Sequence, residues 1–221
     1  MVATTRQFSG RKREIEMPKP TKRTTAKTAQ RNGDRRRSPE IHPGKLGVEV
    51  QRFGALRLAP IALSAEARGE SAQLLNIILA DSMILYAMYK KHHWLVAGPT
   101  FYQLHLLFDK HAEEQQELID LLAERVQTLG AVAVGDPRHA AELTTIDRPP
   151  NGAEEVPSMI HRLLDAHETV ISKVRRAIDR TDKNADWGSN DLLMSDVLRR
   201  NELQVWFISS HLVDVPLVGD K

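Results

Sequence analysis

The chain is predicted to be all-α, a four-helix bundle with a short helix in its long central connection, on three observations. Four stretches repeat apolar residues at helical spacing, nothing in the apolar part of the chain alternates at strand period, and Pro137, Pro149, Pro150 and Gly152 mark one long connection. The first helix is expected over about residues 65–96, with Leu75, Ile78, Leu79, Leu85 and Tyr86 inward, until Gly98-Pro99 breaks it. The second, over 100–129, carries Leu104, Leu107, Phe108, Leu118, Leu122, Val126 and Leu129 as a core stripe. A short helix near 139–144 suits a crossover between two helical hairpins. The third helix, about 154–180, repeats Ile160, Leu163, Leu164, His167, Val170, Ile171, Val174 and Ile178. Trp187-Gly188 then breaks the chain, and Ser189 is placed to cap a fourth helix running to Leu212 with Met194, Val197, Leu198, Val205, Ile208 and Leu212 inward.

Charge divides the chain unevenly. Residues 1–45 hold 13 Lys and Arg against 4 Asp and Glu, a formal +9, which leaves 18 against 25, a formal −7, for residues 46–221 of a chain whose net charge is +2. The first segment has too little apolar surface to offset its ordering entropy and is read as a disordered basic tail. Its clusters Arg11-Lys12-Arg13, Lys22-Arg23 and Arg35-Arg36-Arg37 suit non-specific binding of duplex DNA by phosphate neutralisation. A solvated tail that aids solubility, or an organelle transit peptide, fits the same composition. Residues 1–20 lack the apolar core of a secretory signal, and the apolar stretch 74–89 is short and interrupted by Asn76, Asp81 and Ser82, so a soluble intracellular protein is expected rather than a membrane one. With no cysteine, disulfides and thiolate metal sites are excluded, and His and carboxylate remain as ligands.

The second helix carries a candidate ligand set. At about 100° and 1.5 Å per residue, His105, Asp109, Asp120 and Glu124 fall within a sector of roughly 100°, away from the core stripe. His93 lies just before the Gly98-Pro99 break. Asp109 and Asp120 are about 16 Å apart along the axis, too far to share an ion. Two copies packed antiparallel about a two-fold near residues 114 and 115 would bring His105 and Asp109 of one chain opposite Asp120 and Glu124 of the other. A solvated helix face is an equally good reading of these polar residues taken on spacing alone.

The run His93-Trp94, Gly98-Pro99, Phe101, Leu104-His105, Asp109, Ile119-Asp120, Ala123-Glu124-Arg125, Leu129-Gly130 resembles the signature of the Dps family, the DNA-binding proteins from starved cells or mini-ferritins. The resemblance runs from about residue 71 to 212. It implies a ferritin-like bundle assembled as a hollow dodecamer, with a ferroxidase site at each dimer interface that oxidises Fe(II), preferentially with hydrogen peroxide, and stores Fe(III) mineral inside. By the same resemblance His93, His105 and Asp109 come from one subunit and Asp120 and Glu124 from its partner, with Trp94 beside the site accepting oxidising equivalents. A core aromatic is the alternative for Trp94. Ordinary ferritins build an intrachain site from Glu-x-x-His pairs. No histidine here has a Glu three residues before it.

Other candidates are less constrained. His167 sits in an apolar stripe, where a hydrogen-bonded core histidine is the commoner explanation and a supplementary metal ligand the alternative. His92 is expected at the surface, about 100° round the helix from His93. His111 fits either the core or a ligand role, His42 in the tail is unassigned, and Asp191 and Asp196 lie near where the family builds acidic three-fold pores. The expected function is a cytoplasmic, nucleoid-associated ferroxidase and iron store that suppresses hydroxyl radical formation and coats DNA. A structural nucleoid-packing protein whose site is incidental, or occupied by competing Zn(II), is the alternative.

Because the excess positive charge lies in residues 1–45, a shortened chain beginning at Leu46 is expected to lose most duplex affinity in gel-shift titrations. The intact chain should bind progressively more weakly as salt rises. Equal binding by the two, or binding indifferent to salt, would refute the assignment.

Overall fold

A computed structural model describes residues 47–213. The tail clusters Arg11-Lys12-Arg13, Lys22-Arg23 and Arg35-Arg36-Arg37, and His42, lie outside the described residues. The elements are α1 (Ala65–Leu95), α2 (Phe101–Thr128), α3 (Pro137–Leu143), α4 (Val156–Lys183), α5 (Trp187–Asp191) and α6 (Arg199–Ser209). A π-helical segment, Leu192–Leu198, joins α5 to α6 as one rod, and a 3-10 turn, Ser210–Leu212, ends it. The described residues contain no strand. The long rods α1, α2, α4 and α5–α6 make the bundle, with α3 lying in the crossover as expected.

Helix α1 starts where Ser64 accepts from the Ala67 amide at 3.1 Å and stops where Val96 turns extended. Gly98, with φ +101°, then reverses the chain through the left-handed region, so α2 returns antiparallel along α1. Leu104, Phe108, Leu118, Leu122 and Val126 of α2 are fully buried against it. By length and composition α1 is apolar enough to cross a membrane, yet most of that window is buried. It is the central helix of the bundle core.

Two polar residues that interrupt its apolar run fasten the crossover. Asn76 donates to the Val132 carbonyl at 3.0 Å and accepts from the Val134 amide at 2.9 Å. Asp81, fully buried, accepts from Thr144 Oγ1 at 2.8 Å and pairs with Lys173 of α4 at 2.6 Å. A buried carboxylate left without these partners would be strongly destabilising.

Three expectations need correction. The short helix begins at Pro137 rather than near residue 139, because proline suits the first helical position and Asp136 caps it by accepting from the Arg138 amide at 2.8 Å. The fourth rod begins at Trp187 and its cap is Asp186, which accepts from the Ser189 amide at 3.1 Å and hydroxyl at 2.6 Å. Gly188 is therefore helical, and its missing side chain admits the Arg125 guanidinium, 2.9 Å from where a Cβ would stand. Arg125 pairs with Asp186 at 2.5 Å. Finally, the π segment changes the register of the rod. Met194 is 44% exposed in the single chain, and Asn201, Gln204 and Ile208 are the buried residues beyond it.

Gly130 ends α2. Its φ is +84°, its amide bonds to the Gln127 carbonyl at 2.9 Å and the next amide to the Val126 carbonyl at 3.2 Å, the pairing of a Schellman cap. Its own carbonyl accepts from the Arg57 amide at 2.8 Å, pinning the extended segment before α1. A Cβ there would stand 2.7 Å from the Arg57 carbonyl oxygen. Gly130→Ala is thus expected to destabilise the protein by roughly 1–3 kcal/mol. Gly152→Ala, where a Cβ meets nothing within 4 Å, should leave the melting temperature nearly unchanged. Calorimetry of both variants checks the contrast.

Candidate metal centre

The reversal at Gly98 sets the last turn of α1 beside the first turns of α2. The rings of His93 and His105 stack there, with centroids 3.8 Å apart and planes 21° from parallel. Nδ1 of His93 lies 2.8 Å from the His105 carbonyl oxygen, and Nδ1 of His105 lies 2.9 Å from the His93 carbonyl oxygen. A carbonyl only accepts, so each ring carries a hydrogen on Nδ1, and the lone pair of the neutral ring is the one on Nε2. That is the tautomer a metal-binding histidine needs, held by a partner behind the ring. Asp109, one turn after His105, places a carboxylate oxygen 3.9 Å from His93 Nε2.

Lys90, a site residue absent from the sequence reading, forms an ion pair with Asp109. The lysine hydrogen bond, reinforced by the charge of its ammonium, holds the Asp109 carboxyl below the usual carboxylate range. The ammonium lies against the Asp109 carboxylate and sits 5.9 Å from the centroid of the Trp94 ring. Trp94 itself is 70% exposed. Lys90 precedes His93 by three residues on one helix, and that spacing was the signal available.

The structure therefore gathers His93, His105 and Asp109 and leaves Asp120 and Glu124 apart from them, exposed farther along α2. Among the described residues no three His, Asp or Glu side chains converge on one point suited to a metal ion within a single chain. Asp191 is exposed and accepts from Ser195 Oγ at 2.8 Å, while Asp196 is half-buried beside it on the π segment.

His92 corrects another expectation. It is fully buried rather than at the surface, with no hydrogen-bond partner on either ring nitrogen, and burial pushes its pKa down to about 4. Being 100° from His93 places it on a different face, but α1 is enclosed on that face as well.

Deeper in the bundle is a polar network that sequence reasoning identified only through its two histidines. Tyr89 Oη lies 2.5 Å from His167 Nε2 and 3.2 Å from His111 Nδ1, and His167 Nδ1 lies 2.9 Å from Asn201 Oδ1. Gln115 donates to Asn201 at 3.2 Å and to Gln204 at 2.9 Å, and Gln204 donates to Glu114 at 2.8 Å. The signal for it was a glutamine, Gln115, in the core stripe of α2. Both nitrogens of His167 are engaged, leaving no free lone pair for a metal.

A family model described as a ferritin-like domain matches residues 72–218. An uncharacterised protein of Kitasatospora aureofaciens is 61% identical over 142 residues, 64% of this chain and 93% of that one. The solved structure of DpsC from Streptomyces coelicolor is 60% identical, covers 78% of this chain and 100% of that one, and superposes with a TM-score of 0.76. The chain belongs to the Dps family of ferritin-like proteins. A more distant Dps relative, a DNA protection during starvation protein of Halobacterium salinarum, is 28% identical over 170 residues, 77% of this chain and 90% of that one. The Dps bundle thus accounts for the four rods and the crossover helix seen here.

His167 generates a prediction. Burial pushes its pKa from 6.5 down to about 3, so the unfolded chain binds more protons than the native one between those values. Stability is fullest above pH 6.5 and declines as the pH falls toward 3. His167→Ala, which also orphans Tyr89 and Asn201, is expected to cost on the order of 2–4 kcal/mol at neutral pH and to make the acid decline shallower. Thermal melts against pH measure both, beside calorimetric metal titration, in which affinity should be unchanged.

Proposed function

We propose that this Dps-family protein oxidises Fe(II), with hydrogen peroxide as the oxidant, at sites shared between two chains. It stores the ferric product inside a hollow dodecamer. His93, His105 and Asp109 supply one half of each site, and Asp120 and Glu124 of a second copy the other. The observation that carries this reading is the reciprocal clamp of His93 and His105, which engages both Nδ1 atoms with backbone and leaves both Nε2 atoms for a ligand, with the Asp109 carboxylate 3.9 Å from that of His93 and no complete ligand set within one chain among the described residues. The polar face of α2 that bears Asp120 and Glu124 also exposes Tyr102, Leu106 and Leu121. Apolar side chains interspersed with carboxylates suit a face covered by another copy.

The residues divide the work. Carboxylates are hard ligands that favour ferric iron, and imidazoles hold the ferrous substrate. Lys90 keeps Asp109 ionised and balances its charge before iron arrives. Two Fe(II) give one electron each to peroxide, the O–O bond breaks, and two protons complete two waters, so no hydroxyl radical is released. The basic clusters of residues 1–45 bind duplex DNA without reading sequence. Displayed in many copies on one particle they add avidity, which assigns the protein to the nucleoid of the cytoplasm.

Complementation tests the shared site. A His93→Ala/His105→Ala protein and an Asp120→Ala/Glu124→Ala protein should each fail to oxidise iron, since each lacks half of every site. In a heterodimer of the two, one site gathers all four defects and the other none. Co-assembly should restore peroxide-dependent oxidation toward roughly half the parental level if only heterodimers form. Verified mixed assemblies that stay inactive would sink the mechanism.

A further inference from the structure

Tyr89 lies one helical turn before His93 on α1, about 6 Å along the axis. Its ring centroid is 6.1 Å from that of Phe108, the residue immediately before Asp109. The phenol is fully buried, and its single hydrogen can go to only one of the two imidazoles at its oxygen. The surrounding bonds decide which. Asn201 donates through Nδ2 to the Val197 carbonyl at 2.7 Å, so the atom facing His167 Nδ1 is the amide oxygen, an acceptor. His167 therefore carries its hydrogen on Nδ1 and turns the lone pair of Nε2 toward the Tyr89 hydroxyl, 2.5 Å away. His111 donates from Nδ1 to the same phenolic oxygen at 3.2 Å.

We infer that Tyr89 is an electron donor to the iron-oxidising site, passing its hydroxyl proton to Nε2 of His167 as the electron leaves. The inference rests on the ferroxidase reading. An oxidised phenol is a strong acid, so a buried tyrosine yields an electron readily only where a base already touches its hydrogen. His167 is that base, and burial keeps it unprotonated beforehand. The donor matters when a site holds a single Fe(II), because peroxide needs two electrons. Iron supplies one and Tyr89 the other. Fe(II), hydrogen peroxide and the Tyr89–His167 pair then give Fe(III), two hydroxide ions, a neutral tyrosyl radical and protonated His167. The O–O bond breaks without releasing a hydroxyl radical.

A network that only braces the bundle would make no radical. The test is rapid-freeze EPR of the full assembled protein, mixed with one Fe(II) per site and excess peroxide, with iron oxidation followed by absorbance in the same samples. A neutral tyrosyl signal is expected in the parent and in a Tyr86→Phe/Tyr102→Phe protein. It should be lost in Tyr89→Phe while iron still oxidises. Exchange into D2O should remove a proton coupling from the parent signal, that of the hydrogen shared with His167. Iron oxidation without a tyrosyl signal, or a signal that survives Tyr89→Phe, overturns the inference and leaves the ferroxidase reading standing. Absence of iron oxidation in the parent overturns both. Should Tyr89→Phe fail to fold, the double variant decides, because Tyr89 is the one tyrosine it keeps of the three. Loss of the signal there, in assembled protein that still oxidises iron, overturns the inference.

Discussion

Helix α1 has neighbours along much of its surface, with α2 running beside it and α3 and α4 against other faces. A helix so enclosed leaves its polar groups to find partners within the protein, since water is not there to supply them, and Asn76, Asp81 and Tyr89 find them while His92 does not. Asn76 and Asp81 bind the crossover, Tyr89 joins α2 and α4 through His111 and His167, and Lys90 and His93 reach the exposed edge where Asp109 waits. The apolar residues between them make α1 the core. Its polar residues determine what can lie against it, and therefore where the candidate centre forms.

The second constraint is the tight reversal at Gly98. It brings two backbone carbonyls near the ends of two helices within reach of two imidazoles, and each ring is fastened by the main chain of the other's residue. Rotating either ring would break a bond at both its own nitrogen and the opposing carbonyl. The result is a preorganised pair of lone pairs, built by backbone geometry rather than by a second shell of side chains. Helix α2 then carries a buried stripe toward α1 and a polar face away from it, so packing and chemistry do not compete for the same positions.

Two of the clusters of buried polar groups in this bundle have different characters. Around Asp81 the polarity is ionic and holds secondary structure together. Around Tyr89 it is neutral, since burial pushes His111 to about 4 and His167 to about 3, and each hydrogen has a defined direction. A chain of neutral donors and acceptors is costly to leave half-made but permits a proton to move over a short distance. Glu114 closes the chain toward the α2 surface through Gln204.

By itself the sequence determined the all-α class, the helical rods to within a few residues, the core stripe of α2 and the grouping of His105, Asp109, Asp120 and Glu124 on one helix face. Those follow from local periodicity, and a helix's geometry is the same wherever it packs. Asp109 and Asp120 were legibly too far apart to share an ion for the same reason. Only the tertiary structure decided which further faces are enclosed. Periodicity put His92 on another face of α1 but carried no information on what covers that face, and it is buried. The exposure of Met194 on the π segment, the Asp186 cap admitted by Gly188, and the ion pair of Lys90 with Asp109 each depend on a neighbouring element. A side chain's partner across the bundle is set by packing, which no single helix's spacing encodes.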